Sequence, residues 1–260
     1  MNVLSPYQVA SIRIISAGLV LLPFAAKAMR NIAKEKRGVV VLSGLLGSFF
    51  PAYLFCIAET KIDSALAGIM NALTPLFVII TGISFFQLQV KKLQLIGIIV
   101  GFIGLSLLVA AGSNISLEYF SYSLLVLLAT LFYGINVNMV GKHMQGIGSL
   151  EIASMAFVFL LIPCSIILYF TGYFALPLTE DAYLLSTGAS AVLGIFGTAV
   201  ASVLFYMLVK RAGALFASMV TYGIPFVAIG WGIWGGEQVN LIQVTCCGII
   251  LVGVYLVNKK

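Results

Sequence analysis

Residues 44–61 read GLLGSFFPAYLFCIAETK, and residues 194–211 read GIFGTAVASVLFYMLVKR. Laid over one another, they pair Gly44 with Gly194, Gly47 with Gly197, Leu54 and Phe55 with Leu204 and Phe205, and Lys61 with Arg211, at an offset of 150 residues. The same offset pairs Ala67 with Ala217, Pro75 with Pro225, Ile79 with Ile229, and Gly82 and Ile83 with Gly232 and Ile233. Leu and Ile match by chance in an apolar chain. Prolines and glycines matched at one offset are stronger evidence of a repeated structural unit. Upstream, Val9-Ala10-Ser11 parallels Ile152-Ala153-Ser154; downstream, Gln94 and Gly104 parallel Gln243 and Gly253, one residue out of step.

The units themselves are membrane helices. The 260 residues are 62% hydrophobic and 8% charged, with mean hydropathy +1.14. So few polar side chains cannot cover a water-facing surface, whereas lipid asks for none. The apolar runs are roughly 20 residues long without period-2 alternation, and within lipid each segment must satisfy its own backbone, so helices are expected and a barrel is not. Nine spans are predicted, roughly at 7–28, 38–58, 64–86, 92–111, 119–141, 150–171, 183–208, 212–235 and 240–257. The span at 119–141 has no counterpart in the first half. The fold class expected is therefore an all-α polytopic membrane protein built from two inverted-topology repeats of a five-helix unit. Residues 1–111 carry four spans of the first repeat and residues 112–260 the five of the second.

Charge sets the orientation. Lys27, Arg30, Lys34, Lys36 and Arg37 follow the first span; skipping alternate loops, the next bases are Lys91 and Lys92, Lys142, Lys210 and Arg211, then Lys259 and Lys260. The intervening loops hold Glu59 and Asp63, Glu118, Glu180 and Asp181, and Glu237, with Lys61 their one base. By the positive-inside rule the basic loops and the C-terminus are cytoplasmic and Met1 is outside. An odd-numbered unit must insert its second copy upside down, which agrees with Lys61 falling outside and Arg211 inside. Tyr119, Tyr122, Tyr169, Tyr173, Trp231 and Trp234 fall near the outer ends, where interfacial aromatics are expected. The net charge of +6 is spread over these loops and forms no patch for nucleic acid. The first basic cluster follows an apolar segment instead of preceding one, unlike a signal peptide.

Inverted repeats are a hallmark of secondary transporters, and helices interrupted at matching positions point to their midplane binding site. Pro75 and Pro225 fall near the centres of their spans and cannot donate to the carbonyls of Asn71 and Thr221. Asn71, Thr74, Pro75, Thr221, Tyr222 and Pro225 are accordingly expected to form a substrate site. The alternative is that Asn and Thr repair the kink locally. Arg13 is the one base well inside a span, at a cost of about 2.5–3.5 kcal/mol at the bilayer centre. Lying some two turns from the outer boundary, it could snorkel, and it could hold an anionic substrate or a neighbouring carbonyl. Tyr133 and Asn136 share a helix face and are expected either at the same cavity or in an interhelical hydrogen bond. Gly44, Gly47, Gly97, Gly101, Gly104, Gly194 and Gly197 suit close helix contact.

Catalytic chemistry is missing from the pattern. Cys56, Cys164, Cys246 and Cys247 lie in apolar stretches without metal-ligand spacing, His143 sits in a loop beside Lys142, and the acids cluster at span ends. No metal, cofactor or enzymatic activity is expected. A lipid-modifying enzyme or a non-transporting scaffold is the competing reading; the former would need clustered interior Asp, His or Glu.

Several segments, taken in order, resemble EamA-type members of the drug/metabolite transporter superfamily. Leu4-Ser5-Pro6-Tyr7 leading to Arg13 is similar to the start of that family's second helix. Asn71-Ala72-Leu73-Thr74-Pro75, Thr221-Tyr222-Gly223-Ile224-Pro225, and Gly236-Glu237 before a Gly-rich last helix also match. The resemblance covers nearly the whole chain. It implies ten spans in two inverted repeats, a cell inner membrane location, and export or exchange of metabolites such as amino acids by alternating access. The chain departs from that pattern in lacking the first helix and in carrying Gln87 where the family's Glu usually follows the fourth helix; Glu237 keeps the second such position. Few interior charges favour a neutral or zwitterionic substrate.

Overall fold

The structure, a computed structural model, describes residues 3–62, 64–110, 120–224, 226, 227, 230, 234 and 241–259. Among these residues there are helices and turns and no strand. Helix α1 (Pro6–Asn31) opens on a capping box. The Gln8 N–H donates to the Ser5 hydroxyl, and the Ser5 N–H donates to the Gln8 side chain, satisfying two donors that a helix start would otherwise orphan. A single rod follows, made of α2 (Lys34–Gly44), a π-helical turn (Leu45–Phe49) and α3 (Phe50–Ala58). Next come α4 (Ser64–Asn71), α5 (Thr74–Phe86), α6 (Lys92–Ala110), α7 (Phe120–His143) and α8 (Ser149–Phe170). A second compound rod joins α9 (Asp181–Gly194), a π-helical turn (Ile195–Val200) and α10 (Ala201–Ala212). Helix α11 (Ala214–Ser218), a 3-10 turn (Met219–Gly223) and α12 (Leu241–Asn258) complete the series.

Among the described residues five helices are long and apolar enough to cross a membrane: Pro6–Asn31, Lys34–Ala58, Ser121–His143, Ser149–Phe170 and Asp181–Ala212. The other expected spans correspond to shorter apolar helices. The chain is thus an all-α polytopic membrane protein.

The structure departs from nine straight rods inside the spans. The span expected at 64–86 is two helices, with Ala72 and Leu73 as a turn between them. Pro75 therefore occupies the first turn of α5 instead of kinking a continuous helix; a missing N–H costs nothing there, because first-turn donors lack partners anyway. The span expected at 212–235 likewise breaks into α11 and the 3-10 turn, and Pro225 lies outside the described residues. The two π-helical turns begin 150 residues apart, at Leu45 and Ile195. The sequence offset thus recurs as backbone geometry.

Equivalent elements meet each other. Helix α1 runs along α8, and α6 along α12. Both pairs are antiparallel. At one end of the bundle Gln8 donates to the Thr171 carbonyl, joining the start of α1 to the end of α8; at the other, the Asn31 side chain donates to Glu151. A Cβ on Gly97 would touch Gly253 and Val257, whereas one on Gly104 would touch Ile249 and Ile250, so α12 runs backwards along α6. The end that holds Asn31 also gathers the basic loops: Lys142 donates to the Phe86 carbonyl and Lys210 to that of Ile147. Ile14, Phe157, Met155 and Leu160 are fully buried in the core, while Ile83, Phe85, Leu185, Phe196 and Phe170 are exposed, as lipid-facing side chains are. Helix α7 packs on α3 and α5. Asn138 pins it, donating to the Val78 carbonyl at 2.8 Å and the Thr81 hydroxyl at 3.0 Å.

Candidate functional site: a cavity between the halves

A cavity of about 450 Å³ opens where the interrupted rods converge. Helix α1 contributes Arg13 and Ile14; the first π-helical turn contributes Gly47 and Ser48, and the junction of α4 and α5 contributes Asn71 and Thr74. Tyr133, Asn136 and Val137 come from α7. From the second half come Gly197 and Thr198, Ser202, Phe205, Tyr206 and Leu208, then Ser218, Val220, Thr221 and Ile224. Arg13, Asn71, Thr74, Tyr133, Asn136 and Thr221, expected together from the sequence, therefore line one space.

Two expected residues, Tyr222 and Pro75, do not line it, and a third, Pro225, lies outside the described residues. Tyr222 is fully buried; its hydroxyl donates to the Ile98 carbonyl at 3.0 Å, and its ring fills the space beside Gly101. Pro75 is buried at the start of α5. Five polar lining residues went unrecognised: Ser48, Thr198, Ser202, Tyr206 and Ser218. The signal for two of them was present, because Ser48 and Thr198 follow the paired glycines Gly47 and Gly197.

The helix breaks are locally satisfied. The Thr74 hydroxyl donates to the Asn71 carbonyl at 2.6 Å, replacing the N–H that Pro75 lacks. Thr221 donates its hydroxyl to the Ser218 carbonyl at 3.1 Å, and the Thr221 carbonyl accepts from the Ile224 N–H. Both hydroxyls keep lone pairs free to accept. Asn136 joins the halves: its side-chain oxygen accepts from the Ser43 hydroxyl, and the Tyr206 hydroxyl reaches both Ser43 and Asn136. Gly47 makes room for this, since a Cβ there would lie 2.1 Å from the Asn136 amide nitrogen.

Arg13 is the charged member. Its Nε is buried and makes no hydrogen bond. The guanidinium lies against the Cys56 thiol and near Tyr133. Glu59, just past the end of α3, senses it electrostatically. Burial pushes the Glu59 carboxyl above the ordinary carboxylate range, and Arg13 pulls it back down.

Equivalent helices paired antiparallel, with other equivalent rods interrupted at matched points around a polar cavity inside an apolar bundle, define a membrane transporter of the inverted-repeat kind. The chain belongs to the EamA-like transporter family, whose model matches residues 1–110 and 120–259. It is 27% identical over 259 residues to an uncharacterized transporter of Archaeoglobus fulgidus, covering 99% of this chain and 90% of that protein. It is 25% identical over 260 residues to the uncharacterized inner membrane transporter YedA of Escherichia coli K12, covering 97% of this chain and 81% of the relative. A solved crystal structure superposes with a TM-score of 0.76 at 17% identity, covering 98% of this chain and 89% of that one; this likeness speaks to the fold.

Proposed function

We propose that the protein moves a small neutral or zwitterionic organic metabolite, amino-acid-like in size and polarity, through this cavity by alternating access, as an exporter or exchanger. The observation that carries the reading is the convergence of Arg13, Asn71, Thr74, Tyr133, Asn136 and Thr221 on one cavity that both halves build. In this reading residues 1–111 and 112–260 are the two moving units, and rocking one against the other opens the cavity to each side in turn. Tyr222 and Pro75 hold the broken helices in place. The membrane is the bacterial inner membrane, with the end that holds Lys142 and Lys210 facing the cytoplasm, along with the C-terminus.

Solute flux into proteoliposomes, run with and without a pH gradient, tests the reading. Saturable flux that persists without the gradient is the expected result, and absence of saturable flux for every metabolite class would sink it. Asn71→Ala and Thr221→Ala each remove one group that can bond a substrate. Each should lower flux about three- to tenfold, the equivalent of one hydrogen bond, with membrane insertion unchanged. Wild-type flux in both variants would remove them from the site.

A further inference from the structure

We infer that Arg13 is the anchor for a carboxylate, so that the solute carried is a zwitterion recognised through its –COO⁻ group, with an apolar body lying against the apolar part of the lining. This rests on the transport reading above and adds a specificity to it.

The argument starts from the cost of the charge. A guanidinium stays protonated at any accessible pH and presents its donors in a planar fork. In a low-dielectric site a donor without an acceptor is expensive, and a charge without a counter-charge more so. Arg13 bears the first of these costs: its Nε is buried without a hydrogen bond, although the side chain lines an open cavity. Simple snorkelling would have carried the head group to water. A purely structural arginine would have found a neighbouring carbonyl, as Arg37 does with those of Met29 and Ile32. Of its near neighbours, Cys56 and Tyr133 are neutral in their ordinary forms; Glu59, just past the end of α3, is a nearby counter-charge but does not line the cavity, so the face Arg13 turns to the cavity is left to a ligand.

The rest of the lining sets what the partner can be. Asn71, Thr74, Asn136 and Thr221 are uncharged, and among the described lining residues Arg13 is the one that gives the cavity its sign. A carboxylate brings one negative charge and two oxygens with the spacing of the guanidinium fork. A phosphate dianion would bring a second charge that this lining does not neutralise. Phe205, Leu208, Val220 and Ile224, which also line the cavity, offer an apolar surface to whatever the carboxylate is attached to, and a cation meets repulsion.

Thermal unfolding of the purified full-length protein in lipid nanodiscs tests this with matched probes: hexanoate against hexanamide, L-leucine against L-leucinamide, L-phenylalanine against its amide, and phenyl phosphate. The acids are expected to raise the melting temperature while their amides and the phosphate do not. Arg13→Gln should weaken acid binding at least tenfold. Arg13→Lys, which keeps the charge but loses the fork, should weaken it at least threefold. Equal stabilisation by acid and amide, preference for the phosphate, no response to any acid, or an Arg13→Gln variant that binds acids like wild type would each overturn the assignment. The acid–amide comparison on wild type decides the matter should either variant fail to fold. Saturable flux of solutes lacking a carboxylate would remove the anchor and leave transport standing; acid binding without saturable flux would do the reverse.

Discussion

At position 47 the space a side chain would take is already taken by another residue. The Asn136 amide lies where a Cβ would go, and that placement lets it accept the Ser43 hydroxyl. Gly47→Ala should therefore push Asn136 off Ser43 and disturb the cavity wall. The expected result is a severalfold loss of flux and roughly 1–3 kcal/mol of stability, the usual range for overpacking, read by proteoliposome assay and thermal unfolding. Its counterpart Gly197→Ala would press only on the Leu193 side chain within its own rod and should cost less. A second prediction concerns pH. Glu59, its carboxyl raised by burial, takes up a proton at a pH where an exposed glutamate is still charged, so acidification removes a negative charge near Arg13. Carboxylate affinity should rise as pH falls through that titration, and Glu59→Gln should bind tightly throughout, with the dependence abolished; a wild-type slope in the variant would break the link. Side-chain spacing made part of this site legible. Tyr133 and Asn136, three apart on a regular helix, do share the cavity. Tyr222 is expected at the site because it lies beside the carbonyl that Pro225 leaves without a helical donor; in the 3-10 turn Met219–Gly223 its side chain instead reaches the Ile98 carbonyl, an orientation that proximity to a break in the chain does not set.

The rods are shaped by glycine at the scale of whole elements. A Cβ on Gly253 would lie 2.5 Å from the Gly101 nitrogen and 2.6 Å from the Gly97 carbonyl oxygen, and backbone cannot rotate out of the way as a side chain can. Between membrane helices, where apolar surface gains nothing over lipid, such close approach is what holds a pair together. Gly253→Ala should thus pry α12 from α6 and lower the melting temperature by several degrees, whereas Gly248→Ala, which meets nothing within 4 Å, should behave as wild type. Equal melting temperatures for the two variants would disprove the contact. Gly97, Gly101 and Gly104 announced a close helix contact in the sequence, though not that α12 would be its partner. The π-helical turns left no such mark, because a hydrogen bond reaching one residue further back is a property of backbone and neighbours, without a side-chain signature. They sit at matched positions beside matched glycines, and Gly47, Ser48, Gly197 and Thr198 all face the cavity from them. The repeat could foretell that any irregularity in one rod would recur in the other, but not what it would be.

The whole molecule is arranged about the two places where equivalent helices run antiparallel, α1 with α8 and α6 with α12. Such pairing forces one repeat to stand upside down relative to the other, so each basic loop of the first half must share an end with basic loops from non-equivalent positions of the second. The hydrogen bonds agree: Asn31 with Glu151, Lys142 with Phe86 and Lys210 with Ile147 all lie at one end, and Gln8 with Thr171 lies at the other. Charge bias then decides which end faces the cytoplasm, at an energetic level the bundle itself does not control. A cysteine-accessibility experiment separates packing from orientation. Cys56, Cys164 and Cys246 are buried and Cys247 half-buried, so a background lacking them should fold with small cavities filled by Ser or Ala. Single cysteines at Lys36 and Arg211 should both react with an impermeant maleimide only from the cytoplasmic face of inside-out vesicles, and one at Lys61 only in right-side-out cells. Lys36 and Arg211 on opposite faces would contradict the antiparallel pairing, since no single placement in a bilayer could then satisfy α1 and α8 together. The same face for both, but outside, would leave the pairing intact and invert the molecule.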